Sequence, residues 1–375
     1  MTQRIGKALW RAAAAAFVVL VSATGGAASQ GGDTIAAKRS AILTLVRDEQ
    51  KHKQTLVGVQ VNEYEVYIDC TSYDRVVAQT GKRPAILGLE LMNAIAYPPY
   101  EKYLIDRAET QTEAGGLVTM SWHERNPVEV CTRGEFFDCV KKPMSADTLH
   151  AVLTEGTPEH KLWLADVDAL AKILGDLRDR GIVVLFRPYH EMNREWFWWG
   201  KQSAYPQLWD ALYDELAVRH HLDNLIWVWS IDRDAPDPTP YFPALHKPDV
   251  VGIDVYEHDP DSPKYLAGRA AVTALAGKKT PFAFTEVGVV PSAKVLDAAN
   301  PAWVLLWGEE FLNSAWTTSD CPACNKPEQV AAFFKLDRIV TLDKIPAAVR
   351  RIIAEGTVNE HPLHMPNPNC PATLH

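Results

Sequence analysis

The chain has 375 residues, with 38 Lys+Arg against 47 Asp+Glu and a formal net charge of −9. That balance argues against a nucleic-acid partner, which would need a basic surface to meet phosphates. A hydrophobic share of 47% excludes a disordered chain, and α/β barrels of 250 residues and more form single domains.

Arg4, Lys7 and Arg11 precede an apolar run, Ala12 to Val21, and small residues continue to Ala28. This basic–apolar–small order predicts an export signal over residues 1–28, cleaved after Ala28, with one domain over 29–375. The run is short for a bilayer span, and no later stretch of about 18 apolar residues follows. The mature protein is therefore expected to be a secreted or periplasmic monomer with no membrane segment.

Eight short runs of branched and apolar residues come next: Thr55–Val61, Pro84–Asn93, Gly116–His123, Gly181 to about Pro188, Asn224–Ser230, Val250–Tyr256, Pro281–Gly288 and Trp303–Gly308. Most are nearly continuous, the pattern of parallel strands buried on both faces. Helical spacing lies between them over Leu162–Arg180, Ser203–His221 (with a Ser cap), Ser262–Ala276 and Pro327–Val340. Asp232–Pro248 reads as a loop with a short helix, and Gly356–His375 as an irregular strap. Strand-then-helix repeated eight times predicts a (β/α)8 TIM barrel.

Six cysteines suit an oxidising compartment, although six allow 15 connectivities. The simplest pairing joins Cys131 to Cys139 and Cys321 to Cys324, leaving Cys70 for Cys370. The Cys321-Pro-Ala-Cys324 stretch can also be read as a redox or zinc motif, but no Cys/His partner pair lies near it.

In such barrels the chemistry sits at the C-terminal strand ends. Those ends carry Glu90, Asn93, Trp122, His123, Arg187, His190, Glu191, Asn193, Trp229, Asp254, Tyr256, Glu286 and Trp307. Glu191 and Glu286 stand out, because an ionisable group after an apolar strand is costly to bury. Two facing carboxyls are the machinery of glycoside hydrolysis, one protonated and one ionised. The plainer alternative is two unrelated acids, one of them salt-bridged to Arg187.

The stretch Arg187-Pro-Tyr-His190-Glu191-Met-Asn193, followed by Trp196-Phe-Trp-Trp-Gly200, resembles the signature of the family 26 glycoside hydrolases, best known as β-mannanases. Ser121-Trp-His123 with Asn126-Pro127, Gly252-Ile-Asp254-Val-Tyr256, Thr285-Glu286-Val-Gly288 and Trp307 match further elements of that family. The resemblance implies a retaining (β/α)8 glycosidase without cofactor or metal, acting on a β-linked polysaccharide of the mannan type. Position by position it implies Glu191 as acid/base and Glu286 as nucleophile. It implies Arg187 and His190 as orienting residues, Asp254 and Tyr256 as lining the central subsite, His123 as a sugar-hydroxyl ligand, and Trp196 and Trp307 as stacking platforms. Retention requires the two carboxyls about 5–5.5 Å apart.

Arg194 and Glu195 stand where many members carry Gly, and Glu90 where members often have Asp, so substrate length and linkage stay open. Within the family, β-1,3-xylan and mixed-linkage β-glucan are the alternative substrates. A metal-dependent barrel hydrolase would need a His-x-His on the first strand, which reads Val-Gly-Val-Gln-Val. A non-catalytic exported polysaccharide-binding protein is the reading from outside the enzymes.

Overall fold

Runs of Val, Ile, Leu and Phe favour the pleated, doubly buried setting of a parallel sheet. In the computed structural model they form β1 (Thr55–Gln60), β2 (Ile86–Glu90), β3 (Leu117–Trp122), β4 (Val184–Pro188), β5 (Leu225–Asp232), β6 (Val250–Val255), β7 (Phe282–Val287) and β8 (Trp303–Leu306). The structure describes residues 26–132, 134, 136–233, 237–308, 311–312 and 325–371, with side chains from residue 34 onward. Each strand pairs in parallel with the next, and β1 pairs with both β2 and β8, so the sheet closes into a (β/α)8 barrel. Most of the predicted leader and the Cys321–Cys324 pair lie outside the described residues.

The helices are α1 (Gly26–Lys51), α2 (Ser72–Thr80), α3 (Pro98–Glu113), α4 (Phe136–Val140), α5 (Ala146–Val152), α6 (Pro158–Asp179), α7 (Tyr205–Tyr213), α8 (Lys264–Ala276), α9 (Ala293–Ala299), α10 (Pro327–Phe334) and α11 (Ala347–Ala354). Among the described residues none is long and apolar enough to cross a membrane. Two expectations need correction. The helix expected from Ser203 starts at Tyr205 behind Ala204, with no side-chain cap, and its last part, Asp214–Arg219, widens to a π-helix. Pro206 sets that start, since its fixed φ and missing N–H fit the first helical turn. The helix expected to run to Val340 stops at Phe334, and Ile339–Val340 form a ninth strand, β9. It pairs with Thr55 and Leu56 of β1, on the side where β2 joins only from Gly58.

Side chains alternate along each strand, and the alternation positions the site. On the inward face Leu56, Ile86, Leu117, Leu185, Val228 and Val250 form one apolar cluster with Ile42, Leu45 and Val46 of α1. Two and four residues later the same face turns small and then polar: Gly58–Gln60, Gly88–Glu90, Thr119–Ser121, Ser230–Asp232 and Gly252–Asp254. A Cβ on Gly88 would stand 2.2 Å from the Gln60 carboxamide oxygen, and one on Gly252 2.4 Å from Thr285. The barrel is thus plugged by hydrocarbon at one end and lined with polar groups at the other. Outward residues pack against the helices in a second, larger core.

Two disulfides, Cys70–Cys370 and Cys131–Cys139, join the pairs expected from spacing, with Cα separations of 5.6 and 6.0 Å. The tail after α11 runs without regular structure through residue 371, anchored by the Leu363 N–H on Thr110 and the Asn367 N–H on Asp74.

Candidate active site

The turn after β4 places the first carboxylate. Tyr189 (φ 48°) and Glu191 (φ 55°) both adopt the left-handed conformation, which costs a side-chain-bearing residue about 1–2 kcal/mol. The turn is held by packing: Tyr189 is wedged against Trp122, Trp198 and Trp199, and its hydroxyl accepts from Trp163 Nε1 at 3.0 Å. The Glu191 N–H donates to the Ser230 carbonyl at 3.0 Å, tying the turn to β5. Trp196 Nε1 donates to Glu191 Oε2 at 2.7 Å, which leaves the other oxygen for a proton.

A slip in the sheet places the second. Phe284 faces Ile253, but Glu286 faces Asp254, so β7 carries one extra residue there. Such a bulge re-aims side chains, and Thr285 and Glu286, although adjacent, both reach the interior. Thr285 Oγ1 donates to Asp254 Oδ1 at 2.6 Å. Glu286 accepts from Arg187 Nη2 on one oxygen and from the Tyr256 hydroxyl on the other.

Arg187 also donates to Asp254 Oδ2 at 3.1 Å and to Ser230 Oγ at 3.3 Å. One guanidinium therefore serves two carboxylates, and burial pushing its pKa down is outweighed by Glu286 and Asp254, which raise it. Glu191 makes no such ion pair among the described residues. Burial, then the charges of Asp254, Glu286 and Asp232, push it well above the usual carboxylate range. Burial pushes Asp254 up as well, to about 8, with Arg187 opposing. Asp254 accepts from three donors, Arg187, Thr285 and the Ser230 hydroxyl (3.2 Å), whereas Glu191 accepts from Trp196 alone among the described hydrogen bonds. His190 is held well below its ordinary value by burial and then by Arg187 and His123, so its imidazole is neutral. Its Nε2 lies 3.8 Å from Glu286 Oε1, and its buried Nδ1 has no partner among the described residues.

His123 lies at the rim of this cluster, with its ring edge-on to His190 at 4.3 Å. Glu90 binds both its N–H (3.0 Å) and its Nδ1 (2.7 Å), which fixes the orientation of the ring. Burial pushes Glu90 up, but His123 and the Ser121 hydroxyl outweigh it and hold the carboxyl below the usual range. Trp196 is 41% exposed, with the Arg194 guanidinium 5.2 Å from its ring centre. Trp307 is half-buried, its ring edge-on to Tyr256 at 6.3 Å.

The nine residues predicted from the sequence gather at one barrel end, and their burial differs. Arg187, His190 and Asp254 are at most 2% exposed, with Arg187 bonded to both Glu286 and Asp254 and His190 3.8 Å from Glu286. Trp122 and Trp229 are fully buried on the outward face, Trp229 against Phe242, and are core residues. Trp198 and Trp199 brace the loop through their indole N–H groups, on the Glu124 and His190 carbonyls. Arg194 and Glu195 are paired, with Asp232 at 2.7 Å and Lys201 at 3.1 Å. Reasoning from sequence missed Ser230, although it closes the expected fifth run, and Asp232, because β5 runs two residues beyond its expected end. The ligand atoms of His190, Asp254 and Glu286 lie within 4.8 Å of one another, as a metal site would require. The Arg187 guanidinium, bonded to both acids, already supplies the positive charge there.

Buried carboxylates ordered by one guanidinium at the strand ends of a (β/α)8 barrel define a barrel protein with its site on the C-terminal face. The chain belongs to Glycosyl hydrolase family 26, whose profile matches residues 35–326. A mannan endo-1,4-beta-mannosidase of Thermothelomyces thermophilus is 33% identical over 293 residues, 74% of this chain and 57% of that relative's length. The chain thus spans little more than half of that relative. Among solved structures, a family 26 protein from Muricauda sp. MAR_2010_75 superposes with a TM-score of 0.71 at 27% identity, covering 82% of this chain and 97% of that one. A beta-mannanase from a symbiotic protist of the termite Reticulitermes speratus, complexed with a gluco-manno-oligosaccharide, gives 0.68 at 26% identity, covering 81% and 92%.

Proposed function

We propose that the protein is an exported endo-β-1,4-mannanase that hydrolyses mannan-type polysaccharides with retention of configuration. The observation that carries this reading is the unequal treatment of the two glutamates. Glu286 is held by Arg187 and Tyr256, as a nucleophilic carboxylate would be, while burial and then the neighbouring negative charges push Glu191 well above the usual carboxylate range, as a general acid requires. The mannanase relatives support the choice of sugar, and two disulfides favour an oxidising compartment.

In the first displacement a Glu286 oxygen forms a bond to the anomeric carbon. The bond to the leaving oxygen breaks, and that oxygen takes the electron pair together with the Glu191 proton. Esterified Glu286 is uncharged, which removes one of the charges that raised Glu191 and leaves it able to act as a base. Water then bonds to the anomeric carbon, Glu191 takes its proton, and the ester bond to Glu286 breaks. His123 Nε2 and the exposed faces of Trp196 and Trp307 would meet the sugar's hydroxyls and C–H faces.

The test is reducing-end release from galactomannan, glucomannan, β-1,3-xylan and mixed-linkage glucan, beside Glu286→Ala. Release from the mannans, reduced at least about 10³-fold in the variant, is the expected result. Release confined to xylan or mixed-linkage glucan would move the substrate and keep the mechanism. No release from any of the four by folded protein would favour a binding protein. Proton NMR of the first product anomer decides between retention and inversion.

A further inference from the structure

Glu124, two residues past β3, is a fully buried acid that the proposed reaction does not use. Its Oε2 accepts from the Tyr189 hydroxyl, and its Oε1 has no partner among the described residues. Burial, then the charge of Asp166, push the carboxyl well above the usual range, with the Tyr189 hydroxyl and Arg125 opposing. An acid in such a setting costs stability, so the one bond it makes calls for a role.

That bond joins the exits of two neighbouring strands. Tyr189 opens the left-handed turn after β4, and Glu191 lies two residues further on. Trp163 Nε1 donates to the Tyr189 hydroxyl at 3.0 Å, so a chain of donors runs from Trp163 through Tyr189 to Glu124. Trp163 and Asp166 stand three apart on α6, the helix that leads into β4, and share one face of it. Asp166 accepts from both Nε (3.0 Å) and Nη2 (2.6 Å) of Arg125, which anchors the segment that carries Glu124. The Trp198 indole N–H closes this frame on the Glu124 carbonyl at 2.8 Å. The groups that hold Glu286 lie outside it: Arg187 on β4 itself, and Tyr256 just after β6.

We infer that Glu124 is a positioning residue for the acid/base: its carboxyl fixes the Tyr189 hydroxyl, and with it the turn that aims Glu191 at the leaving oxygen. The inference rests on the glycosidase reading and deepens it. A turn with two residues in the left-handed region persists only while its surroundings hold it. Without the Glu124 bond the Glu191 carboxyl shifts, while Glu286 keeps both of its partners.

Kinetics of Glu124→Ala, Glu124→Gln and Tyr189→Phe on mannohexaose and on dinitrophenyl β-mannobioside test it. Dinitrophenolate departs without a proton, so its release needs Glu286 but no general acid. On mannohexaose, kcat/KM is expected to fall about 10- to 100-fold in Glu124→Ala and Tyr189→Phe, the scale of a small misplacement. On the dinitrophenyl substrate it should stay within about 3-fold of the parent. Azide needs no base as it bonds to the anomeric carbon and the Glu286 ester breaks, so it should raise kcat of both variants on that substrate. Glu124→Gln keeps a carbonyl oxygen for Tyr189 and should retain at least about half of the parent's kcat/KM on mannohexaose. Tyr189→Phe keeps the ring packed against Trp122 and Trp198, so it carries the test if Glu124→Ala does not fold. Equal losses on both substrates, no loss on either, or Glu124→Gln as slow as Glu124→Ala overturns the positioning role alone. Failure of the folded parent on both substrates removes the mannanase reading and this role together.

Discussion

Arg187 donates to Glu286 and to Asp254, while the carboxylate of Glu191 receives only the indole N–H of Trp196 among the described hydrogen bonds. That difference should be visible in stability as well as in catalysis. Below the unfolded value of a glutamate, near 4.5, both folded and unfolded chains carry the Glu191 proton and its burial is not penalised. As pH rises, the unfolded chain releases the proton first, because Glu191 is raised in the folded protein, and stability falls until the folded carboxyl also ionises. Glu191→Gln has no such proton to lose. Its Tm should exceed the parent's by about 2–4 °C at pH 8 if the penalty is near 1 kcal/mol, and the gap should close at pH 4. A gap that is constant with pH in calorimetric scans would show that Glu191 is not the group that holds the proton.

Within the strands, the bulge in β7 brings Thr285 beside Gly252 of β6, where a Cβ would fall 2.4 Å from the Thr285 methyl. Gly252→Ala should therefore displace Thr285 from Asp254, costing about 1–3 kcal/mol in urea unfolding and lowering kcat with little change in KM. An unaltered kcat would mean that Asp254 does not depend on this contact. The existence and order of all eight barrel strands were legible because long apolar runs have few other uses. Their inward and outward phase was legible too but went unused: His123 follows Leu117, Thr119 and Ser121 at two-residue spacing, which turns Trp122 outward. The bulge was not legible, since nothing in Phe284-Thr-Glu286 marks an extra residue. Nor was β9, whose Ile339 and Val340 gain their partners only once β1 has projected below β2. Glu191 and Glu286 could be picked out as polar residues on apolar runs. Asp254 could be picked out but not its role, because its burial depends on Arg187, Ser230 and Thr285 converging on it from three different strands.

At the scale of the whole chain, the two disulfides differ greatly in reach: Cys131–Cys139 spans 8 residues and Cys70–Cys370 spans 300. In the chain-entropy picture the longer link restrains the unfolded chain by about 5–6 kcal/mol and the shorter by about 2–3. Cys70→Ser with Cys370→Ser should then lower the denaturation midpoint more than Cys131→Ser with Cys139→Ser. The reverse order would mean that strain or residual structure governs these links. The longer link has a topological consequence as well. It turns residues 70–370, which include seven of the eight barrel strands, into a covalent ring. One backbone cut anywhere on that ring, as by a protease, opens the circle without releasing a fragment. The nicked molecule keeps its mass, and its pieces part only when a reductant reaches the sulfurs at the junction.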